Sequence, residues 1–231
     1  MAKKSLEKKI ECLEAIHAIQ NVMGRYEYLL SAGRPMRQKI VDLFSQKTPD
    51  VSANVGDWGV YKGIDGIRRL FAGLMGRTEE RVGFLSEFNL TTPVIEVAGD
   101  GKTAKAVWMG PGIETFPDVE TGEVRAGWCW TKYACDFIKE DGAWKIWHFN
   151  NFLTFYVDYD KSWAEAGDHY IRRPGSIRQV PAEFKPDGPP TIRINPYNPK
   201  DTKREFLPAP PEPYETYDPT IDWMDPQKPS K

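Results

Sequence analysis

In the aromatic run Trp144–Phe155, His148 and Asn150 are polar residues spaced two apart. Imidazole changes charge near neutral pH, so a pocket-facing histidine serves as a general base; it can equally be a core residue held by a structural hydrogen bond. Tyr26 continues the apolar stripe of a long helical pattern. A phenol there can donate to a carbonyl or developing enolate oxygen, or can be a buried tyrosine with a satisfied hydroxyl. Asn89 and Asn150 offer amides to substrate hydroxyls, and Asn151 does so or serves a turn or strand edge. Glu114 follows Gly110-Pro111-Gly112 and either reaches a cavity mouth or stays in solvent. Asp136 lies between Cys135 and Phe137 in an apolar strand; burial would raise its pKa, and a salt bridge to Lys132 or Arg125 would account for it without chemistry. Trp58, Trp108, Trp128, Trp130, Trp147 and Phe152 are an unusual aromatic load. Most belong in a core, and some can form a flat apolar slot for an aromatic or polycyclic ligand.

The elements that must place these residues are legible in the pattern. Leu6, Ile10, Leu13, Ile16, Ile19, Met23, Tyr26 and Leu30 recur at helical spacing over 5–31, with Ser5 as N-cap. Ser31-Ala32-Gly33-Arg34-Pro35 ends that helix, and a shorter one runs over about 36–44. Val51–Val60 reads as a strand bent at Gly56-Asp57, and Ile64–Met75 as a helix. A strand over 84–97 is interrupted near Pro93 and turns at Gly99-Asp100-Gly101. Ala104–Met109 returns, Gly110-Pro111-Gly112 breaks it, and Ile113–Phe116 resumes it. Lys139-Glu140-Asp141-Gly142 joins strands at about 128–138 and 144–155, Asp-Gly being a strong hairpin signal. Period 2 puts Trp144, Ile146, His148 and Asn150 on one face of the last strand. Helices come first and antiparallel strands follow: an α+β fold, with a curved antiparallel sheet wrapped around the long N-terminal helix.

Five of the nineteen prolines precede residue 166 (35, 49, 93, 111 and 117), which leaves fourteen beyond it. That stretch retains Tyr170, Phe184, Tyr197, Phe206, Tyr214, Tyr217 and Trp223, whereas a disordered tail lacks aromatics. The division expected is a cone domain over 1–165 and an extended Pro-rich arm over 166–231. The arm lies on a surface, a neighbouring subunit's in a homo-oligomer (dimer or trimer), or it is a floppy tail.

A net charge of −2 argues against a nucleic-acid partner. No run approaches the ~18 apolar residues of a membrane span, and the N-terminal stretch lacks the apolar core of a signal peptide. Three scattered cysteines point to reduced thiols and a cytoplasmic protein. No His/Cys/Asp cluster has metal-ligand spacing, and Gly63–Gly66 and Gly99–Gly101 are turns outside any phosphate-binding setting. Neither a metal nor a cofactor is expected.

Ala18–Tyr28, Trp58–Phe71, Leu90–Val107 and Lys132–His148, in this order, resemble the SnoaL-like branch of the nuclear-transport-factor-2-like superfamily across about residues 10–165. The resemblance implies a cone closed by helices around a mainly apolar pocket, and includes scytalone dehydratase, ketosteroid isomerase and bile-acid dehydratase. Its enzymes carry a tyrosine on the first helix, which Tyr26 matches. The aspartate about one turn later falls near Ser31, and the histidine before the Leu90–Val97 strand falls at Glu87-Phe88-Asn89. Neither acid/base residue is present, so the expectation passes to His148.

The reading is a cofactor-independent lyase, dehydratase or isomerase for a hydroxylated aromatic or polycyclic small molecule. His148 and Tyr26 act with Asn150 at the reacting atoms. Asn89, Glu114, Trp58, Trp108, Trp128, Trp130 and Phe152 hold the substrate. The alternative is a non-catalytic ligand carrier or scaffold of the same fold.

Overall fold

The computed structural model describes residues 5–32, 34–76, 82–117, 121–165, 180–193, 195–200 and 207–224. Helix α1 spans Leu6–Ser31, and the Ser5 side chain accepts from Lys8 N at 3.3 Å. A short α2 (Arg34–Arg37) runs into a 3-10 turn over Gln38–Leu43. Strands β1 (Ser52–Val55) and β2 (Val60–Lys62) precede α3 (Gly63–Arg68), which continues as a π-helical segment to Met75. Then come β3 (Leu85–Phe88), β4 (Thr91–Val97), β5 (Thr103–Pro117), β6 (Val124–Glu140) and β7 (Ala143–Asp158).

The sheet order is β2-β1-β7-β6-β5-β3, with β4 also on β5. The expected antiparallel sheet is in fact mixed: β1 runs parallel to β7, pairing Ser52 with His148 and Val55 with Asn151. Val51–Val60 is a hairpin rather than one bent strand, because the chain turns back at Gly56–Gly59 to pair β1 with β2. β5 runs unbroken through Gly110-Pro111-Gly112. There, absent side chains admit neighbouring rings; a Cβ on Gly110 would lie 2.6 Å from Tyr133 Cε2. The β6–β7 turn has both Asp141 (φ 50°) and Gly142 (φ 81°) left-handed, as the Asp-Gly signal requires.

Helix α1 contacts both β7 and β3. Those strands are three spacings apart, roughly 14 Å across a flat sheet, and a helix with its side chains is only about 10–12 Å thick. The sheet therefore curls around α1. Ala15, Ile19, Met23, Tyr26 and Leu30 pack into the curl with Phe44, Phe71, Trp108, Tyr133, Phe137, Ile146 and Phe149. Leu6, Ile10 and Leu13, expected in the same stripe, remain exposed at 74%, 48% and 66% because the first turns of α1 lie beyond this packing.

The outer face is covered by the chain's own C-terminal segments. Ile192 and Trp223 pack on Val107, Ala134 and Phe152. The Val60–Gly188 bridge and the Phe184 carbonyl, which accepts from Tyr61 Oη at 3.0 Å, seal the free side of β2. Gly99 N and Asp100 N donate to the carbonyls of Tyr214 and Glu215. In the β4–β5 ladder, Thr92 at φ 47° and Pro93 fall where the register shifts between Thr91 and Val94. The expected boundary at 165/166 adjoins residues 166–179, which lie outside the described residues, as does His169.

Two variants test this packing. Gly59 has φ 114°, and a Cβ there would lie 2.6 Å from Gly188 O and 2.8 Å from Pro186 Cβ. Gly59→Ala is expected to cost about 1–3 kcal/mol and to expose 184–188 to protease. On the outer face, Lys105 Nζ lies 2.9 Å from Asp136 Oδ1, both side chains nearly buried. Lys105→Met is expected to cost about 3 kcal/mol by leaving the carboxylate short of its cation, and Lys105→Met with Asp136→Asn to cost less, both read by urea unfolding.

Candidate functional site

The last strand decides which residues share a face. In the β6–β7 ladder, Phe137 pairs with Ile146 and Asp136 with His148, so Trp147 is an extra residue on β7. This bulge inverts the alternation. Trp144 and Ile146 stay with the interior core, as does Phe149. His148, Asn150 and Phe152 fall on the outer side. The single face expected to carry Trp144, Ile146, His148 and Asn150 is therefore split in two.

The interior polar cluster is built from α1, α2, β5 and β6. Met23, Tyr26, Glu27 and Leu30 are all buried on α1, at i, i+3, i+4 and i+7, so one helical face carries a carboxyl inward beside the phenol. The Tyr26 ring packs against Phe149 at 5.0 Å, Phe71 at 5.8 Å and Tyr133 at 6.2 Å between centroids. Both Glu27 oxygens are sealed from solvent and neither has a well-formed hydrogen bond. Burial pushes this carboxyl up to about 8, against the pull of the nearby Tyr133 hydroxyl and the Arg37 charge. Tyr133 is close enough to favour the charged form without completing a bond of good geometry.

Burial likewise lifts the phenols of Tyr26 and Tyr133 well above their ordinary range, Glu27 adding to both. They stay neutral donors at physiological pH. Burial lowers the Arg37 guanidinium to about 10, while Tyr26, Glu114 and Glu27 favour its charge. Arg37 Nε donates to Leu30 O at 2.8 Å and Nη1 to Met75 O at 3.2 Å, so one cation serves the carbonyl ends of two helices. Glu114 is half-buried and follows Trp108, Gly110 and Gly112 on the inner alternation of β5. Thr131 Oγ1 donates to Gly110 O at 3.1 Å. The arrangement supplies one carboxyl able to give or take a proton near neutral pH, two phenol donors and a cation.

Of the residues singled out from sequence, Tyr26, Trp108 and Glu114 join this interior set. Sequence reasoning missed Glu27, Tyr133 and Arg37. The signal for Glu27 was available as a charged residue inside the Met23–Tyr26–Leu30 stripe. The acid beside the first-helix tyrosine is thus the next residue, not one near Ser31.

His148 sits on the opposite face. Its Nδ1 is 2.8 Å from Asp136 Oδ2 and 3.4 Å from Tyr217 Oη, and Nε2 is 3.8 Å from Asp50 Oδ2. Trp147 stacks on His148 and meets the Tyr217 ring at a tilt, both with centroids 4.5 Å apart, and donates to Asp50 at 2.7 Å. Burial would raise the Asp136 carboxyl, yet the His148 hydrogen bond and the Lys105 charge outweigh it and hold it below its ordinary range. The partner of Asp136 is Lys105, its cross-strand neighbour, rather than Lys132 or Arg125. Asn150 accepts from Asn54 at 2.9 Å and donates to Ala134 O at 3.1 Å. Asn54 in turn accepts from Thr191 N at 3.0 Å, so the asparagine pair anchors a C-terminal segment.

The remaining residues are scattered. Trp128 stacks on Tyr159 and Trp130 on Phe155, Trp58 packs half-buried in the β1–β2 turn, and Asn89 is exposed between β3 and β4. Among the described residues, no group of three or more His, Cys, Asp or Glu is placed to hold a metal, and no helix is long and apolar enough to cross a membrane. A cleft of ≈ 500 Å³ lies between the first half of α1 and the two hairpin tips, lined by Lys8, Cys12, Ala15, Val97, Lys139 and Trp144. From Ala15 to Glu27 is roughly 18 Å along the helix, so the cleft is separate from the acid.

Known proteins with this architecture include one from Novosphingobium aromaticivorans provisionally named a scytalone dehydratase. It is 20% identical with a TM-score of 0.52, over 65% of this chain and 91% of that one. A hexachlorocyclohexane dehydrochlorinase, LinA-type3 of Novosphingobium barchaimii LL02, is 15% identical with a TM-score of 0.53, over 67% and 96% of the two chains. At these identities the likeness is one of fold. No curated protein matches the sequence significantly. The SnoaL-like domain profile matches residues 11–150, which takes in every element from α1 to the middle of β7, and by that match the chain belongs to the SnoaL-like domain family.

Proposed function

We propose that the protein is a cofactor-independent lyase of the dehydratase type, or an isomerase, for a hydroxylated aromatic or polycyclic small molecule. Its working acid/base is Glu27. The observation that carries this is the Glu27 carboxyl, sealed among aromatic rings without a well-formed partner and pushed up to about 8. Such a group is stocked in both protonation states near neutral pH, which suits general acid–base work. As the acid it protonates a departing hydroxyl; as the carboxylate it takes a proton from the carbon next to a carbonyl. Tyr26 and Tyr133 donate to the oxygen on which charge grows, and Arg37 offsets that charge. Dehydration and dehydrochlorination each remove a proton and a leaving group from adjacent carbons. The names carried by the two structural neighbours thus agree with elimination chemistry. The role expected of His148 passes to Glu27.

One observation favours a carrier or scaffold instead: Tyr26, Phe44, Phe71, Tyr133 and Phe149 pack ring against ring in the interior. Exposure of the full-length protein to hydroxylated aromatics and steroids, followed by mass spectrometry, separates the two readings. Loss of water or isomerisation is expected, with Glu27→Gln lowering turnover by about 10²–10⁴ and His148→Gln retaining most of it. Full turnover in Glu27→Gln overturns the assignment, and binding of the compounds without turnover identifies a carrier.

A second measurement needs no substrate. Glu27 has its folded pKa raised from 4.5 to about 8. Below 4.5 it is neutral in both states. Between 4.5 and 8 the unfolded chain releases a proton that the fold retains, so this group's contribution to stability falls as pH rises and levels off above about 8. Glu27→Gln is expected to flatten that decline by a few kcal/mol, read by urea unfolding across the window.

A further inference from the structure

Helix α1 extends beyond the part of it that the interior uses. Its first buried residue is Ala15, and the stretch Leu6–Glu14 contains none. This overhang is nonetheless a finished helix end, capped by the Ser5 side chain on Lys8 N. It also turns large apolar residues to solvent: Leu6, Ile10 and Leu13 are all exposed. On a helix of 3.6 residues per turn they lie roughly 150° from the stripe of Ala15, Ile19, Met23, Tyr26 and Leu30, so the two apolar faces of α1 look in nearly opposite directions.

The exposed stripe has a heptad spacing. Steps of four and three make Leu6, Ile10 and Leu13 positions d, a and d, and the run ends at His17, Gln20 and Gly24. Isoleucine at a with leucine at d suits a parallel two-stranded coiled coil. The flanking positions carry exposed charges, Lys9 at g and Glu7 and Glu14 at e. In a parallel pair, g faces the e position five residues on in the other helix. Lys9 then meets the partner's Glu14, twice by symmetry. An antiparallel pair sets e against e, which brings Glu7 onto the partner's Glu14 and repels. We propose that the overhang is a seam between two copies of this chain, joined in parallel through the first turns of α1. Leu6, Ile10 and Leu13 pack on themselves across a two-fold axis, with Lys9 and Glu14 paired on either side. The core face of each α1 points away from that axis, which leaves room for both sheets. Because each helix is already formed and capped, little ordering opposes association. The seam from Leu6 to His17 is only roughly 17 Å long, so the dimer is weak and reversible. It uses none of the interior polar groups and does not depend on the role of Glu27.

Sedimentation equilibrium of the full-length protein, from micromolar to high-micromolar concentration, tests the seam. The wild type is expected to pass from monomer to dimer across that range. Ile10→Glu and Leu13→Glu are expected to keep it monomeric with the urea midpoint unchanged, since both side chains lie outside the core. Lys9→Glu and Glu14→Lys are each expected to raise the dissociation constant by roughly 3–30-fold, two exposed ion pairs being lost. Combining them reverses both charges and restores the wild-type constant. A wild type that stays monomeric throughout overturns the proposal. So does a dimer that survives Leu13→Glu and is lost in Ile113→Glu, which places the second copy on the exposed Met109 and Ile113 of β5. Tighter association in Glu14→Lys overturns the parallel arrangement, because only the antiparallel one gains from it.

Discussion

One extra residue in a ladder, Trp147 between Ile146 and His148, decides which side of the sheet His148, Phe149 and Asn150 take. Alternation along a strand has no tolerance for an odd insertion: every residue after the bulge changes sides. Without it, His148 and Asn150 would enter the interior with Ile146, and Phe149 would leave it. With it, the interior keeps Phe149 against Tyr26, and the imidazole is delivered to Asp136 on the outside. The bulged indole is itself used, stacked on His148, packed at a tilt against Tyr217 and bonded to Asp50. The outer polar cluster around His148 follows from that single local event, while the interior one is carried by α1, α2, β5 and β6.

The clusters solve the problem of burying charge in different ways. On the outside, Asp136 is matched by Lys105 and His148, and its carboxylate is favoured despite burial. On the inside, Glu27 has a phenol and a guanidinium nearby but no matched ion-pair bond, and desolvation dominates. Arg37 is occupied with the carbonyl ends of α1 and the π-helical segment after α3. A cation tied to backbone in this way lends its field to the interior without collapsing onto the acid. The outer arrangement therefore serves adhesion of the C-terminal segments, and the inner one keeps a proton near balance.

Local patterns carried the helix and hairpins, and long-range partners did not. The repeat from Ile19 to Leu30 was legible because the interior reads that face of α1, and Asp141-Gly142 because few other residues accept left-handed backbone at both positions. The parallel pairing of Ser52 with His148 joins strands far apart in sequence, and no nearby residue signals it. The Trp147 bulge carries no glycine or proline mark. Gly110-Pro111-Gly112 was misleading for a related reason: these residues look like a break in one dimension and act as clearance for Tyr133 and Phe88 in three. Glu27 was hidden by its type, since a glutamate on a helix ordinarily faces water.

The two rims of the sheet have a consequence for crowded solutions. Along β2, Val60 is already bridged to Gly188 and the strand is lidded by Phe184 and Pro186. Along β4, Pro93 supplies no amide donor and Thr92 turns the backbone out of line. A second molecule approaching side-on finds β2 already bridged and the start of β4 bent out of line. At those two places, edge-to-edge pairing is discouraged by main-chain geometry, independently of net charge.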